Sequence, residues 1–520
     1  MRDSLISRRR FIQIAGLATV LTTLEACGGA AGTTPTPAGT GASPSPTAAA
    51  SPSPSPPSSP SPSPTTPSSP SPTAAPVVTP TAAPSGTQGS IGLPKQIAGG
   101  KTVSIRVENT PRPEDRAAYQ LWRDKIARFN KLYPNVKIVS DTYAWDPSTF
   151  PARIQGGTAG DLWLVPFTEV QKLISQKVVA DITDLMQSWQ YFQDWNPGML
   201  KIVTGLDGRI YGIPAGGYVM GLVYNRALFK QAGLDPEKPP RTWDELASDA
   251  QKLTDRSKNR AGFAVLTTGN QGGWQLLNFV WQAGGDFEKQ VNGKWRAVFD
   301  SPQAARALQF YHDLRWRYDV LPRNTLLKAD DIFPMLASEQ LAIAIFSPGW
   351  IDIVVSQHGG KLEDFGMAPL PAGPAGRAEQ TGGAVRFINA KSSPEAREAA
   401  FWFAIWEEFD LNEVLFNTQA AAMAGKLVGL PDIPLMRGEY QRKLQQIISR
   451  YTNVPTQNYR LYVQEAGRYA RPEPPIEAQA LYALLDPVVQ AVLTDKNADP
   501  RALLGRAARE FQTRFLDKAQ

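Results

Sequence analysis

Apolar residues past position 100 recur with two periods. Thr102-Val103-Ser104-Ile105-Arg106-Val107 alternates polar and apolar, the period of a half-buried strand. From Arg116 to Tyr133 the large apolar residues Tyr119, Trp122, Ile126, Phe129 and Tyr133 fall at helical spacing. Pro134-Asn135 ends that helix, and Val136-Lys137-Ile138-Val139 predicts a second strand. Strand, helix, strand at this distance is a βαβ unit, which implies parallel pairing. A glycine-rich turn, Gly156-Gly157-Thr158-Ala159-Gly160-Asp161, leads into a third strand, Leu162-Trp163-Leu164-Val165. After helical patterns up to Leu200, the turn Asp207-Gly208 opens a long apolar stretch, Arg209 to Asn225, interrupted by Gly212, Gly216, Gly217 and Gly221. Two readings fit it: a crossing between two lobes with a pliable middle, or a core strand with a bulge.

The chain of 520 residues exceeds one typical domain, and its N-terminal part has a different composition. Ser7-Arg8-Arg9-Arg10-Phe11-Ile12-Gln13 is a twin-arginine pattern, followed by an apolar run from Ile12 to Leu24 that is too short to span a bilayer stably. Leu24-Glu25-Ala26-Cys27-Gly28 resembles a lipoprotein cleavage site, so residues 1–26 are expected to be a signal and Cys27 the lipid attachment point. A plain secretory signal with an incidental cysteine is the alternative. Cys27 is the single cysteine, which excludes an internal disulfide, a thiolate metal cluster and a cysteine nucleophile from the mature fold. Gly28 to Pro94 holds no charged residue and is built of Pro, Ser, Thr, Ala and Gly, so 27–98 is expected to be a disordered linker. At about 3.1 Å per residue it could extend on the order of 200 Å. The formal charge of +6 is partly the signal's arginines, and no basic cluster interleaved with aromatics points to nucleic acid.

A family becomes recognisable in the order of short motifs. Phe129-Asn130-Lys131-Leu132-Tyr133-Pro134-Asn135-Val136, Ala159-Gly160-Asp161-Leu162, Tyr211-Gly212-Ile213-Pro214 and Tyr224-Asn225-Arg226 come first. Ala232-Gly233-Leu234 with Pro239 to Leu246, Phe346-Ser347-Pro348-Gly349-Trp350, Thr381-Gly382-Gly383, Ile388 to Ala396 and the tail from Ala470-Arg471-Pro472 to Leu504 follow. Together they resemble the extracellular solute-binding proteins of ABC importers, in the carbohydrate-binding, maltose-binding-protein-like branch. The resemblance implies a two-lobed α/β fold of the periplasmic-binding-protein type (type II), with mixed sheets flanked by helices and several interlobe crossings. It places the N-lobe at 99–216 and 350–408 and the C-lobe at 217–349 and 409–520. It further implies capture of a carbohydrate by lobe closure, delivery to the transmembrane subunits of an ABC permease, a monomer, no cofactor and no metal, and a place on the outer face of the cell membrane.

Sugar recognition needs flat apolar faces for the ring and polar groups for its hydroxyls. Trp145, Tyr218, Trp274 and Trp350 sit in or beside Gly-, Pro- or Asp-rich turns, and each is a candidate contact, with plain packing as the alternative; Trp163 is a weaker one. Asp161 could accept hydroxyl hydrogen bonds or cap a turn. Glu108 and Asn109 follow the first strand, and Gly382 and Gly383 could lend backbone N–H groups. Arg112 and Arg386 could meet an anion or end in salt bridges. No residue is assigned catalysis: His312 and His358 share no metal-ligand spacing, and neither a nucleophile elbow nor a P-loop occurs. Other readings are a lipid-anchored glycoside hydrolase or lyase using two carboxylates, and a polyol, glycerol phosphate or peptide binder.

Overall fold

The computed structural model describes residues 92–147, 149–465 and 467–518. The twin-arginine segment, Cys27 and the linker up to residue 91 lie outside the described residues. Twelve strands are described: β1 (Val103–Val107), β2 (Val136–Ser140), β3 (Leu162–Pro166), β4 (Gly212–Val219), β5 (Gly221–Asn225), β6 (Ala261–Phe263), β7 (Glu288–Val291), β8 (Lys294–Ala297), β9 (Leu341–Phe346), β10 (Phe365–Ala368), β11 (Glu379–Ile388) and β12 (Ala470–Pro472).

The first lobe is built on the sheet β12-β11-β3-β1-β2, with β4 also paired to β11. β1 buries Ile105 and Val107 and exposes Ser104 and Arg106, as its alternation predicts, and it pairs parallel with β2 and β3. The intervening helix Arg116–Leu132 starts where the Asp115 side chain accepts from Ala118 N. Its apolar face buries Trp122 and Phe129, and Phe129 meets Phe403 of the helix Pro394–Phe409 edge-on at 5.0 Å between centroids. In the second lobe β5 lies between β10 and β9, antiparallel to both, and β6 runs parallel to β9. The helix Gln271–Gln282 packs against the helices Pro302–Trp316 and Ala478–Thr494 and is buried on nearly all sides, polar residues included.

The two apolar cores are separate clusters, and the chain passes between them several times, among other places at β4–β5 and at β11. β4 passes into β5 at Met220, whose N–H donates to the Gln380 carbonyl at the start of β11. β12 runs parallel to β11 between two stretches of the second core, and Tyr462 Oη donates to the Val219 carbonyl at 2.7 Å. The stretch 209–225 is thus both things its sequence allowed. It is an interlobe crossing, and β4 carries a bulge opposite Ala384 and Val385.

The lobe boundaries differ from those read in the sequence. Trp350, Ile351, Val354, Phe365, Met367, Leu370 and Ala378 belong to the second core, so the crossing into the first lobe comes at β11 rather than at 349/350. Met436 and Tyr440 belong to the first core, so chain beyond 408 returns to it. The linker also ends earlier than 98: Ile97 is fully buried and Leu93 packs on the first core. Short motifs locate strands, but which lobe a helix joins depends on contacts distant in sequence.

Candidate ligand-binding site

β11 organises the site. One edge pairs with β4 from Thr381 to Phe387. The other edge pairs with β12 at Glu379–Thr381 and with β3 at Ala384–Ile388. On that second edge no partner strand among the described residues covers Gly382 and Gly383. Glu473 directly follows β12 and Phe167 directly follows β3, so both flank the gap. The glycines have a steric reason as well. A Cβ on Gly382 would lie 2.4 Å from Tyr218 Oη, and one on Gly383 would lie 2.5 Å from Phe167 Cζ. Absence of side chains lets both rings lie against the strand.

Around this gap the structure gathers three of the aromatic residues singled out in the sequence. Tyr218 meets Trp274 edge-on at 6.4 Å between ring centroids, and Trp274 meets Trp350 at 5.9 Å. Phe333 and Phe346 back Trp350. Trp274 is 6% and Trp350 8% exposed, so each contributes a limited rim of surface and packs with the rest. Trp274 stands in the first turn of the helix Gln271–Gln282. Asn270 precedes it at φ +66°, and Gly273 lets the turn press on Tyr482, where a Cβ would fall 2.6 Å from backbone.

The polar centre of the cluster, Glu473, was not among the residues picked from the sequence. It accepts from Gln380 Nε2 and Tyr482 Oη, each at 3.0 Å, and from the Trp274 indole. Burial pushes its carboxyl up to about 7, against the lowering effect of those three donors. Asn278 holds Gln380 in turn, accepting its backbone N–H at 2.8 Å. Asp486 occupies the N-terminus of the helix Gln271–Gln282, taking Asn270 N at 2.7 Å and Gly273 N at 2.9 Å. Burial raises Asp486 to about 6 in spite of these bonds. The arrangement offers apolar ring faces beside a hydrogen-bonding carboxyl and a stretch of bare strand edge.

The remaining sequence candidates sit elsewhere. Asp161 precedes β3 and accepts from Arg106 N at 2.7 Å and from Ser392 Oγ. About 20 Å of extended chain separates it from Phe167 beyond the opposite end of β3, so it ties strands together away from the gap. Glu108 is 3% exposed and engaged by Arg153 Nη2 and Gly160 N, both at 2.8 Å; burial raises its pKa. Asn109 adopts φ +63° and donates its N–H to the Tyr143 carbonyl. Trp145 is half-buried on the first core, and its indole N–H is buried with no hydrogen-bond partner among the described residues. Trp163 is a core residue donating to the Gly160 carbonyl. Arg386 is closed off from any anionic ligand: it is buried and paired with Glu407 and Glu408, both at 3.0 Å. His312 is bound to the Lys496 carbonyl.

Comparison with known proteins agrees with this architecture. The family profile described as bacterial extracellular solute-binding protein matches residues 113–406. A binding protein of Brucella abortus is 24% identical over 52% of this chain and 64% of its own. The sn-glycerol-3-phosphate-binding periplasmic protein of Yersinia pestis is 30% identical over 38% of this chain and 46% of its own. The chain therefore spans between about half and two thirds of the curated relatives it matches. A solute-binding protein of an ABC transporter from Thermotoga lettingae, solved with α-D-tagatose, superposes with a TM-score of 0.63 at 24% identity, covering 79% of this chain and 99% of that one.

Proposed function

This chain belongs to the bacterial extracellular solute-binding protein family, and from that premise we propose that it captures a neutral, hydroxyl-rich solute, a carbohydrate, for an ABC importer. The lobes close over the solute, and the closed form hands it unreacted to the permease's membrane subunits. The observation that carries the carbohydrate reading is the grouping of Tyr218, Trp274 and Trp350 with Glu473 beside the bare edge at Gly382 and Gly383. Ring faces suit the C–H side of a sugar, and a carboxyl group suits paired hydroxyls.

Glycerol phosphate, bound by the Yersinia relative, is disfavoured by the same geometry. A helix N-terminus beside the aromatic cluster would cradle a phosphate, but Asp486 already fills it with a carboxyl group. Arg386, Arg153 and Arg377 each face carboxylates of the protein itself. Cys27, by its place in the sequence, attaches the chain to the outer face of the membrane, and 28–91 serves as its tether.

Thermal melts across a panel of sugars, polyols and glycerol 3-phosphate test the proposal. A sugar at about 100 times its dissociation constant adds ~2.7 kcal/mol of stability, seen as a clear rise in Tm. A rise with glycerol 3-phosphate and none with any sugar overturns the carbohydrate reading. A sugar recovered cleaved after incubation overturns the assignment as a binder.

A further inference from the structure

Between β12 and the helix Ala478–Thr494 lies a five-residue loop, Glu473-Pro474-Pro475-Ile476-Glu477. Each part of it is fixed to something different. Glu473 faces the ring cluster through Trp274 and Gln380. Ile476 N donates to Glu288 Oε1 at 2.8 Å, which fastens the loop to the hairpin β7–β8. Glu477 ends the loop in an ion pair with Lys172, whose Nζ lies 3.0 Å from one carboxylate oxygen and 3.1 Å from the other.

That ion pair joins the two lobes. Lys172 stands on the helix Val170–Ser175, whose Val170 and Leu173 are buried in the first core. Glu477 opens a helix whose Ala478 and Leu481 are buried in the second. Glu477 holds φ +46°, a left-handed conformation uncommon for a residue other than glycine. Glu169, half-buried near the same lysine, is raised by burial and by Glu477, and Lys172 offsets this. One ammonium thus serves two carboxylates at the seam. Between the two ends of the loop stand Pro474 and Pro475, whose rings fix φ and leave little slack.

We infer that Lys172–Glu477 is an interlobe latch, set at one end of the short loop 473–477 whose other end carries the ligand-facing Glu473. The pair draws the lobes together four residues along the chain from the group that would meet the solute. The inference rests on the capture reading above and names the device that regulates it. Lys172 and Glu477 are positioning residues and need not touch the solute.

The latch is tested on the full chain without any solute. With Cys27 replaced by Ala, spin labels at Lys131→Cys and Arg306→Cys, both exposed and in different lobes, report the interlobe distance. K172E and E477K should each lengthen it. The double variant K172E/E477K, which restores attraction with reversed sign, should return it to the starting value. In the unsubstituted pair, about 1 M salt, where the screening length falls to ~3 Å, should act like a single reversal. A distance that ignores both single reversals, a double variant that stays open, or indifference to salt in the parent chain each overturns the latch. No sugar enters these measurements, so a panel that finds no carbohydrate ligand removes the proposed function and leaves this result standing.

Discussion

Glu407 and Glu473 are both carboxyl groups set into the fold, and they were given opposite surroundings. Behind the first-lobe sheet, Glu407 takes Lys125 Nζ at 2.9 Å and Arg386 Nη2 at 3.0 Å. Burial pushes its pKa up, but the two cations overcome this and hold it below the ordinary carboxylate value. Glu408 shares Arg386 and, with burial and Glu407 both acting on it, ends raised. Beside the ring cluster, Glu473 meets only neutral donors, and burial leaves it at about 7. A carboxylate locked between cations makes a rigid joint and has nothing left to offer a visitor. A carboxyl group held by neutral donors keeps its remaining lone pairs, and at neutral pH it shifts readily between proton-bearing and proton-free forms. The difference is the one that would separate a structural joint from the proposed binding group, although burial acts on both acids.

The sharpest way to break this comparison is to remove a cation from the joint. Arg386→Met leaves Glu407 and Glu408 with Lys125 alone, and an uncompensated buried charge costs about 3–5 kcal/mol. Urea unfolding should show a loss of that size, with carbohydrate affinity unchanged wherever the variant is folded; a loss under about 1 kcal/mol would show that the network is not a joint. Next in size is Glu473→Gln, which should leave urea stability within about 1 kcal/mol of the parent. It exchanges a hydrogen bond accepted by a charged group, worth about 1.5–3 kcal/mol, for one accepted by a neutral amide, so calorimetric Kd for the best sugar should rise about tenfold or more. The parent's affinity should also weaken as pH drops below about 7 while the Gln variant's stays flat.

A third contrast comes from Glu288, which shares Glu473's lack of a cation without facing the rings. Its Oε2 is buried with no hydrogen-bond partner among the described residues, and burial raises its pKa to about 8, with the backbone of Ile476 opposing and Asp286 assisting. The folded state therefore keeps a proton that the unfolded chain releases above its ordinary pKa of 4.5. Stability should fall as pH rises from about 4.5 to about 8 and then level off. Glu288→Gln should flatten that part of the Tm-versus-pH curve without changing sugar affinity at neutral pH. An identical slope in the variant would assign the titration to another group.

Much of the first lobe is legible in the sequence because its signals are local. The alternation of Ser104, Ile105, Arg106 and Val107 and the helical spacing from Trp122 to Phe129 each encode one element. The rings at Tyr218, Trp274 and Trp350 stood out because tryptophan or tyrosine beside glycine-rich turns is unusual in a periodic core pattern, and the fold brings these three together. Glu473 was not legible. Among Arg471, Pro472, Pro474 and Pro475 it reads as linker, and its burial comes from Gln380 and Tyr482, one of them 93 residues away. Asp161 misled for the converse reason. A glycine-rich turn before a strand looks alike at either end of a sheet, and only the register of β3 against β11 shows which end it occupies. Arg386 likewise gave no sign of its partners 21 and 22 residues on.

Because β4 runs straight into β5 through Met220, whose N–H is bonded to the Gln380 carbonyl, the halves of the molecule cannot part by simple translation without breaking that join. The lobe closure proposed above would then be a flexing across it, as a book opens about its spine. The pages can therefore change their print, ring by ring and carboxyl by carboxyl, while the binding that turns them stays the same.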